Sequence, residues 1–466
     1  MKFFTPAIMP AALLLSMAAA PLSAAGQDAG EPRQLKLFDD VVYYDGYQME
    51  KIIDADKNDG ILRLRNSLYS VKLTEEQLNW FGEDLDLNVI VRALCDNYDR
   101  IGNVNLALTP KGADTYDWET ATRVELARYI TPFMDKNKEP FEVPYAYTVD
   151  AASYIFRDAQ LRANYDFWIE LELFGVPYAA NEQIAGCKDR NDVFAGTLTF
   201  DSYSEPAQMT DKHVFVPIVI RRPEYQGHNL NNYSERGTDE IGRCIKTWTF
   251  EVPEDVTDGR ITFIISNHGA NSGGEEYIRR LHLISFDGKE AMQYTPGGVS
   301  CEPYRKYNTQ PNGIYGNKRS DKSWQRSSNW CPGAIIPIRE IDLGPVTKGT
   351  HTFTVEVPDA KFNGEQGDFP VSAYFQGLTE GRLPAGMYTP EMLEPETTVT
   401  VDGDMVRWTC DREVSEAVLY STRGEMLRIV PGAAGEMELS LYEPGVYLLG
   451  LRCADGSSAV RKIVRH

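Results

Sequence analysis

Apolar segments in this chain are short, rich in β-branched and aromatic residues, and closed at both ends by clusters of Gly, Pro, Asn and Asp. Residues 88–94, 103–108, 167–174, 213–220, 260–266 and 351–357 all have this form, which marks strands rather than helices. Several alternate apolar and polar side chains, as a strand with one face on a core does. One helix is predicted from Thr74 to Gly82, with Thr74 as N-cap and Gln77 completing a capping box. Leu73 and Leu78 would form its hydrophobic staple and Gly82 its stop. Many strands with few helices bury their faces sheet against sheet. The expected fold class is all-β.

The polar, turn-rich residues 197–211 separate two strand-rich blocks of similar size. The acidic, proline-bearing residues 390–396 read as a linker to a last block with short strands at 416–420, 436–441 and 446–452. The expected organisation is therefore an N-terminal domain at 33–200, a second at 201–389 and a small C-terminal sandwich at 397–466. Residues 1–25 carry a single Lys2, an apolar core over 10–20 and the ending Ser23-Ala24-Ala25. That is a secretory signal peptide, too short in its core to be a membrane span. An exported monomer is expected, secreted or held at a bacterial surface or in the periplasm.

The formal net charge is −21, and loss of Lys2 with the signal leaves −22. So acidic a surface repels nucleic acid and anionic membranes, and neither is an expected partner. Seven cysteines in an exported chain imply a few disulfides with at least one thiol left over. The pairs favoured are Cys301 with Cys331, which bracket a turn-rich loop, and Cys410 with Cys453 in the last block. No C-x-x-C pair is present, which disfavours a zinc ribbon or a thioredoxin-like site.

Three places offer carboxylates beside aromatics and arginine. The first is Cys95-Asp96-Asn97-Tyr98-Asp99-Arg100, at the junction of two predicted strands, where function tends to sit. A plain turn, with Asp96 and Asn97 satisfying backbone donors, is the alternative. The second is the strand 167–174, whose alternation puts Phe167, Ile169, Leu171 and Leu173 on one face and Trp168, Glu170, Glu172 and Phe174 on the other. The second face resembles a sugar-binding surface, with a solvated outer face as the alternative. The third is Gly274-Glu275-Glu276-Tyr277, followed by Arg280 and His282. Far downstream comes Arg326-Ser327-Ser328-Asn329-Trp330-Cys331-Pro332-Gly333.

In this order, these segments resemble the peptide-N-glycosidase F family, whose members cut the bond joining an N-linked glycan to asparagine. The match covers roughly residues 35 to 390 and includes Ala127-Arg128-Tyr129-Ile130-Thr131-Pro132. It implies two adjacent jelly-roll β-sandwiches with a site between them. It also implies N-linked glycoproteins or glycopeptides as substrates and no metal or cofactor. By resemblance Asp99 is the principal catalytic residue, Glu276 orders water or the peptide, and Glu172 holds the sugar core, with Glu170 as fallback. Tyr98, Arg100, Phe174, Tyr277, Arg280, Arg326 and Trp330 are the implied substrate contacts. Arg326 lies one residue further from Trp330 than the family's arginine. Tyr98 and Tyr277 stand where tryptophan is usual, and Asn267 replaces an aromatic. The last block, ending Val460-Arg461-Lys462-Ile463-Val464, resembles the sorting domains of bacterial type IX secretion and equally an Ig-like module without that role.

Two other readings stand beside the amidase: a glycoside hydrolase using two of these carboxylates, and a non-catalytic glycan-binding surface protein. A copper monooxygenase on paired jelly rolls is excluded by the ligands. It needs histidines from both halves, and none of the six here precedes His213.

Overall fold

The computed structural model describes residues 32–48, 59–220, 244–270, 274–310, 314–327, 329–360, 369–384, 397–410, 412–421, 426–453 and 458–465. The predicted signal segment 1–25 and linker 390–396 lie outside the described residues. Within them the protein is all-β, organised as two jelly-roll β-sandwiches and a small C-terminal one.

The first sandwich faces a four-stranded sheet against a six-stranded one. The four-stranded sheet runs Arg33–Tyr44, Asp192–Ser202, Asp86–Ala93, Glu142–Thr148. Its partner runs Ile335–Ile336, Thr122–Ile130, Ile101–Pro110, Tyr165–Leu173, Leu68–Lys72, Ile61–Arg65. Between them lie Val89, Val91, Leu106, Ile169, Leu171 and Phe194, each essentially without solvent contact. The second sandwich pairs His213–Val219, Val371–Leu378, Val256–Ile265 and Arg339–Val346 with a sheet of Ile245–Val252, Gly349–Glu356, His282–Phe286 and Lys289–Tyr294. Its core centres on Ile261, Phe263, Phe353, Val355 and Phe375.

Two strands depart from the expected boundaries. Asp192–Ser202 runs two residues past 200, because its alternate side chains Leu198 and Phe200 still face the first core. Ile335–Ile336, far into the second block, pair with Tyr129 and Arg128 of the first sandwich. The junction is further tied by a buried ion pair, Arg128 Nη2 to Glu125 Oε2 at 2.7 Å. Arg128 Nη1 also donates to Ser266 Oγ (2.7 Å) and the Pro370 carbonyl (3.0 Å), and Ser372 Oγ donates to Glu125 Oε2 (2.6 Å). Three hydrogen bonds thus join this buried ion pair to the second half, offsetting part of the cost of burying its charge.

The predicted helix forms only over Glu75–Leu78, with the Thr74–Gln77 capping box in place and Leu73 and Leu78 buried. It ends at Asn79, so Gly82 is not its stop. Glycine is needed at 82 for another reason: a Cβ there would lie 2.2 Å from Ser204 Oγ. In the C-terminal sandwich Cys410 and Cys453 face each other with sulfurs 3.8 Å apart, beyond bonding distance, so the expected disulfide is not formed. The Cys301–Cys331 bond is formed (2.01 Å). Cys95 pairs with Cys187, a bond that its distance in sequence hid.

Candidate active site

Asp99 and Glu276 occupy equivalent places in the two large sandwiches. Asp99 lies on the crossover from Asp86–Ala93 in one sheet to Ile101–Pro110 in the facing sheet. Glu276 lies on the crossover from Val256–Ile265 to His282–Phe286, again between facing sheets.

The Asp99 loop is built around Asp96, which is buried. Its carboxylate accepts from the Tyr98 amide (2.7 Å), the Val176 amide (2.6 Å) and Arg100 Nε (2.9 Å). Thr131 closes the loop from the other side: its hydroxyl accepts from the Arg100 amide (2.8 Å) and donates to the Tyr98 carbonyl (3.2 Å). Arg100 is thus paired with Asp96, and its guanidinium lies over the rings of Tyr98 (5.2 Å) and Phe174 (6.0 Å). Among the described residues the Asp99 carboxyl has no ion pair; it accepts a hydrogen bond from its own backbone amide. Burial, then the charge of Glu276, push its pKa up to about 7, against the pull of Arg100.

The Glu276 turn is held by Asn329, whose amide donates to the carbonyls of Glu275 (2.9 Å), Ile278 (3.2 Å) and Glu276. Trp330 follows directly; its indole donates to the Asn267 carbonyl (2.8 Å) and its ring lies 5.5 Å from His268. Gly333, at φ 98°, makes the reversal that lets Ala334 accept from the Ile130 amide (3.0 Å). Glu276 accepts from the Gly269 amide (3.2 Å) and from the Tyr277 hydroxyl, yet burial still raises its pKa. The Tyr277 hydroxyl is held protonated by burial and by the charges of Glu276 and Asp99. A cavity of about 240 Å³ opens here, lined by Glu276, Tyr277, Ile314, Arg319, Trp324 and Trp330, with Cys301 at its wall.

The structure therefore gathers Asp99, Glu276, Tyr277 and Trp330, with Tyr98 and Arg100 flanking Asp99 on its loop. Other expected contacts lie elsewhere. Glu170 is fully buried; Arg123 grips it with Nε (2.8 Å) and Nη2 (2.7 Å), and Tyr116 and Asn105 donate to it at 2.6 and 3.0 Å. Glu172, 2% exposed, has Arg123 at 3.8 Å. Trp168 is buried, with its ring 5.1 Å from Tyr116. Phe174 does lie behind the Asp99 loop, under the Arg100 guanidinium, but is buried by Tyr47 and Gly46. The alternation predicted for this strand is present, but its polar face is neither open to a sugar nor solvated. The strand is central in its sheet, and an internal arginine neutralises the acids. Arg280 pairs with Glu275 (2.8 and 3.0 Å) instead of facing Glu276. Arg326 is exposed on the helix Asp321–Ser327, and the arginine lining the cavity is Arg319. No motif spacing pointed to Arg319; a guanidinium between Tyr315 and Trp324 was the only signal. Three of the described histidines make structural contacts: His282 is buried, with its pKa lowered to about 3, and donates to the Arg280 carbonyl. His213 and His351 contact Asp158 and Asp287.

Family models of peptide-N-glycosidase F match residues 34–188 (N-terminal domain) and 232–376 (C-terminal domain), together more than half of the chain. Among solved structures, PNGF-II in one crystal form is similar with a TM-score of 0.54 at 17% identity, over 75% of this chain and 66% of that one. A second crystal form gives 0.53 at 16% identity, over 77% and 67%. PNGase F, a glycosylasparaginase from Flavobacterium meningosepticum, gives 0.48 at 16% identity, over 76% and 98%. The chain thus spans about two thirds of PNGF-II. No curated protein matches it. With both domain models matched in order, the chain belongs to the peptide-N-glycosidase F family.

Proposed function

We propose that the protein is an exported amidase that hydrolyses the bond between an N-linked glycan and its asparagine, leaving aspartate in the peptide and releasing the glycan as a glycosylamine. One observation carries this reading: two acids from separate halves of the chain lie near enough for the charge of Glu276 to help raise Asp99 to about 7. A carboxylate with that proton affinity takes a proton from water far better at neutral pH than an ordinary aspartate, and returns it as readily.

In the reaction, ionised Asp99 accepts a proton as water attacks the side-chain carbonyl carbon of asparagine. Glu276, oriented by Tyr277 and the Gly269 amide, holds that water. The tetrahedral intermediate then collapses, the C–N bond breaks, and Asp99 returns its proton to the departing nitrogen. Arg100 Nη2 is buried with no hydrogen-bond partner among the described residues, and so offers a donor to the developing oxyanion. Trp330 and Tyr277 supply flat apolar walls for a sugar ring or the peptide. Glu170 and Glu172 act from within the sheet, as supports and not as sugar contacts.

The test is mass spectrometry of a defined N-glycopeptide after incubation. The expected product is the deglycosylated peptide carrying aspartate, lost in Asp99→Asn. A peptide that retains one sugar identifies a glycoside hydrolase instead. Unaltered turnover in Asp99→Asn refutes the assignment, and binding without turnover in the unmutated protein leaves a glycan-binding module.

A further inference from the structure

Glu276 and Arg319 are the two charged groups lining the cavity; its remaining wall is aromatic or apolar. Arg319 is partly buried, and its guanidinium lies 4.6 Å from the ring centroid of Trp324. Both residues are fixed by one carboxylate: Glu302 Oε1 accepts from the Arg319 backbone amide (2.9 Å) and from the Trp324 indole (2.8 Å). That carboxylate is already neutralised by Arg305, at 2.6 and 2.9 Å. The Tyr315 ring packs against Trp324 at a tilt, with centroids 5.3 Å apart. Among the described residues no carboxylate pairs with the Arg319 side chain, and its positive charge reaches Tyr277 on the cavity wall.

A guanidinium over an indole, whose side chain makes no hydrogen bond among the described residues, is available to bind oxygen acceptors. Arg319 stands beside Trp324 on the cavity wall. We infer that Arg319 is a specificity-determining residue that docks a carbonyl or carboxylate oxygen of the glycopeptide on the Trp324 side of the cavity. This rests on the amidase reading above for the nature of the ligand. The oxygen belongs either to an acetamido sugar or to the peptide.

The test is calorimetric binding in the Asp99→Asn background, where turnover does not interfere, using an N-glycopeptide, the free glycan and the free peptide as separate probes. Arg319→Gln is expected to weaken glycopeptide binding about tenfold or more, the effect of losing a charge-assisted hydrogen bond. Arg319→Lys recovers part of it, and the neighbouring exposed Lys318→Gln changes it little. The free probe whose affinity also falls identifies the source of the oxygen. Unchanged affinity in Arg319→Gln, or equal weakening in Lys318→Gln, overturns the inference. The amidase reading fails separately: if the unmutated chain converts no glycopeptide while Arg319→Gln still weakens binding, docking stands and the reaction falls.

Discussion

Replacing Asp99 by asparagine should stabilise the fold, and only above acid pH. Folding raises the carboxyl from its ordinary 3.8 to about 7, through burial and the charge of Glu276. Between those values the folded protein holds a proton that the unfolded chain has released. The group's contribution is fully present below about pH 4 and is lost as pH climbs through about 7. The full interval amounts to about 4 kcal/mol at 1.36 kcal/mol per decade of proton affinity. Asp99 keeps part of its surface in contact with solvent, and screening there reduces the expected figure to about 2–3 kcal/mol. Asparagine cannot ionise and escapes this loss. The assay is urea unfolding of the parent and Asp99→Asn at about pH 4 and about pH 8. The quantity of interest is the difference between the two stability differences, because any fixed structural cost of the substitution cancels. An advantage for Asp99→Asn that is the same at both pH values would falsify the claim that Asp99 is held protonated by its surroundings.

Three further outcomes are expected. The kcat/KM of the parent should rise with pH through about 7 as Asp99 ionises, and Glu276→Gln should move that limb to lower pH by removing a like charge; steady-state rates across pH check both. Asp96→Ala should cost about 3 kcal/mol in denaturant unfolding, because it strips a buried carboxylate from Arg100 and from two backbone donors. Asn329→Ala releases three carbonyls of the Glu276 turn while Trp330 stays in place, so kcat should fall about tenfold or more in rate assays, with an unchanged circular dichroism spectrum.

The strands were legible because their signals are local. The residues 103–108 fall within Ile101–Pro110, and 351–357 overlap Gly349–Glu356 except for the last residue; side-chain alternation over a few residues is enough to locate them. The capping box at Thr74 was legible for the same reason, whereas the helix end was not. Gly82 looked like a stop but answers to Ser204, which sequence proximity does not reveal. The Asp99 and Glu276 loops were found through family resemblance, since nothing in either segment announces that the other lies beside it.

What failed was every inference that needed to know what covers a face. The strand Tyr165–Leu173 has the expected alternation, but an alternating strand reads the same with water, sugar or protein over its polar side. Only the tertiary structure puts Arg123 against Glu170, and so makes a buried ion pair of an apparent sugar platform. Likewise a cation's role depends on which acid reaches it first: Arg280 is taken by Glu275, Arg326 points to solvent, and Arg319 remains for the cavity. The order of residues along the chain determined the β architecture and the chemical types available to a site, because alternation and turn chemistry act over a few residues. The pairing of charges, and with it the proton affinity of Asp99, was decided only when folding brought distant groups together out of water, where Coulomb forces and desolvation are strong.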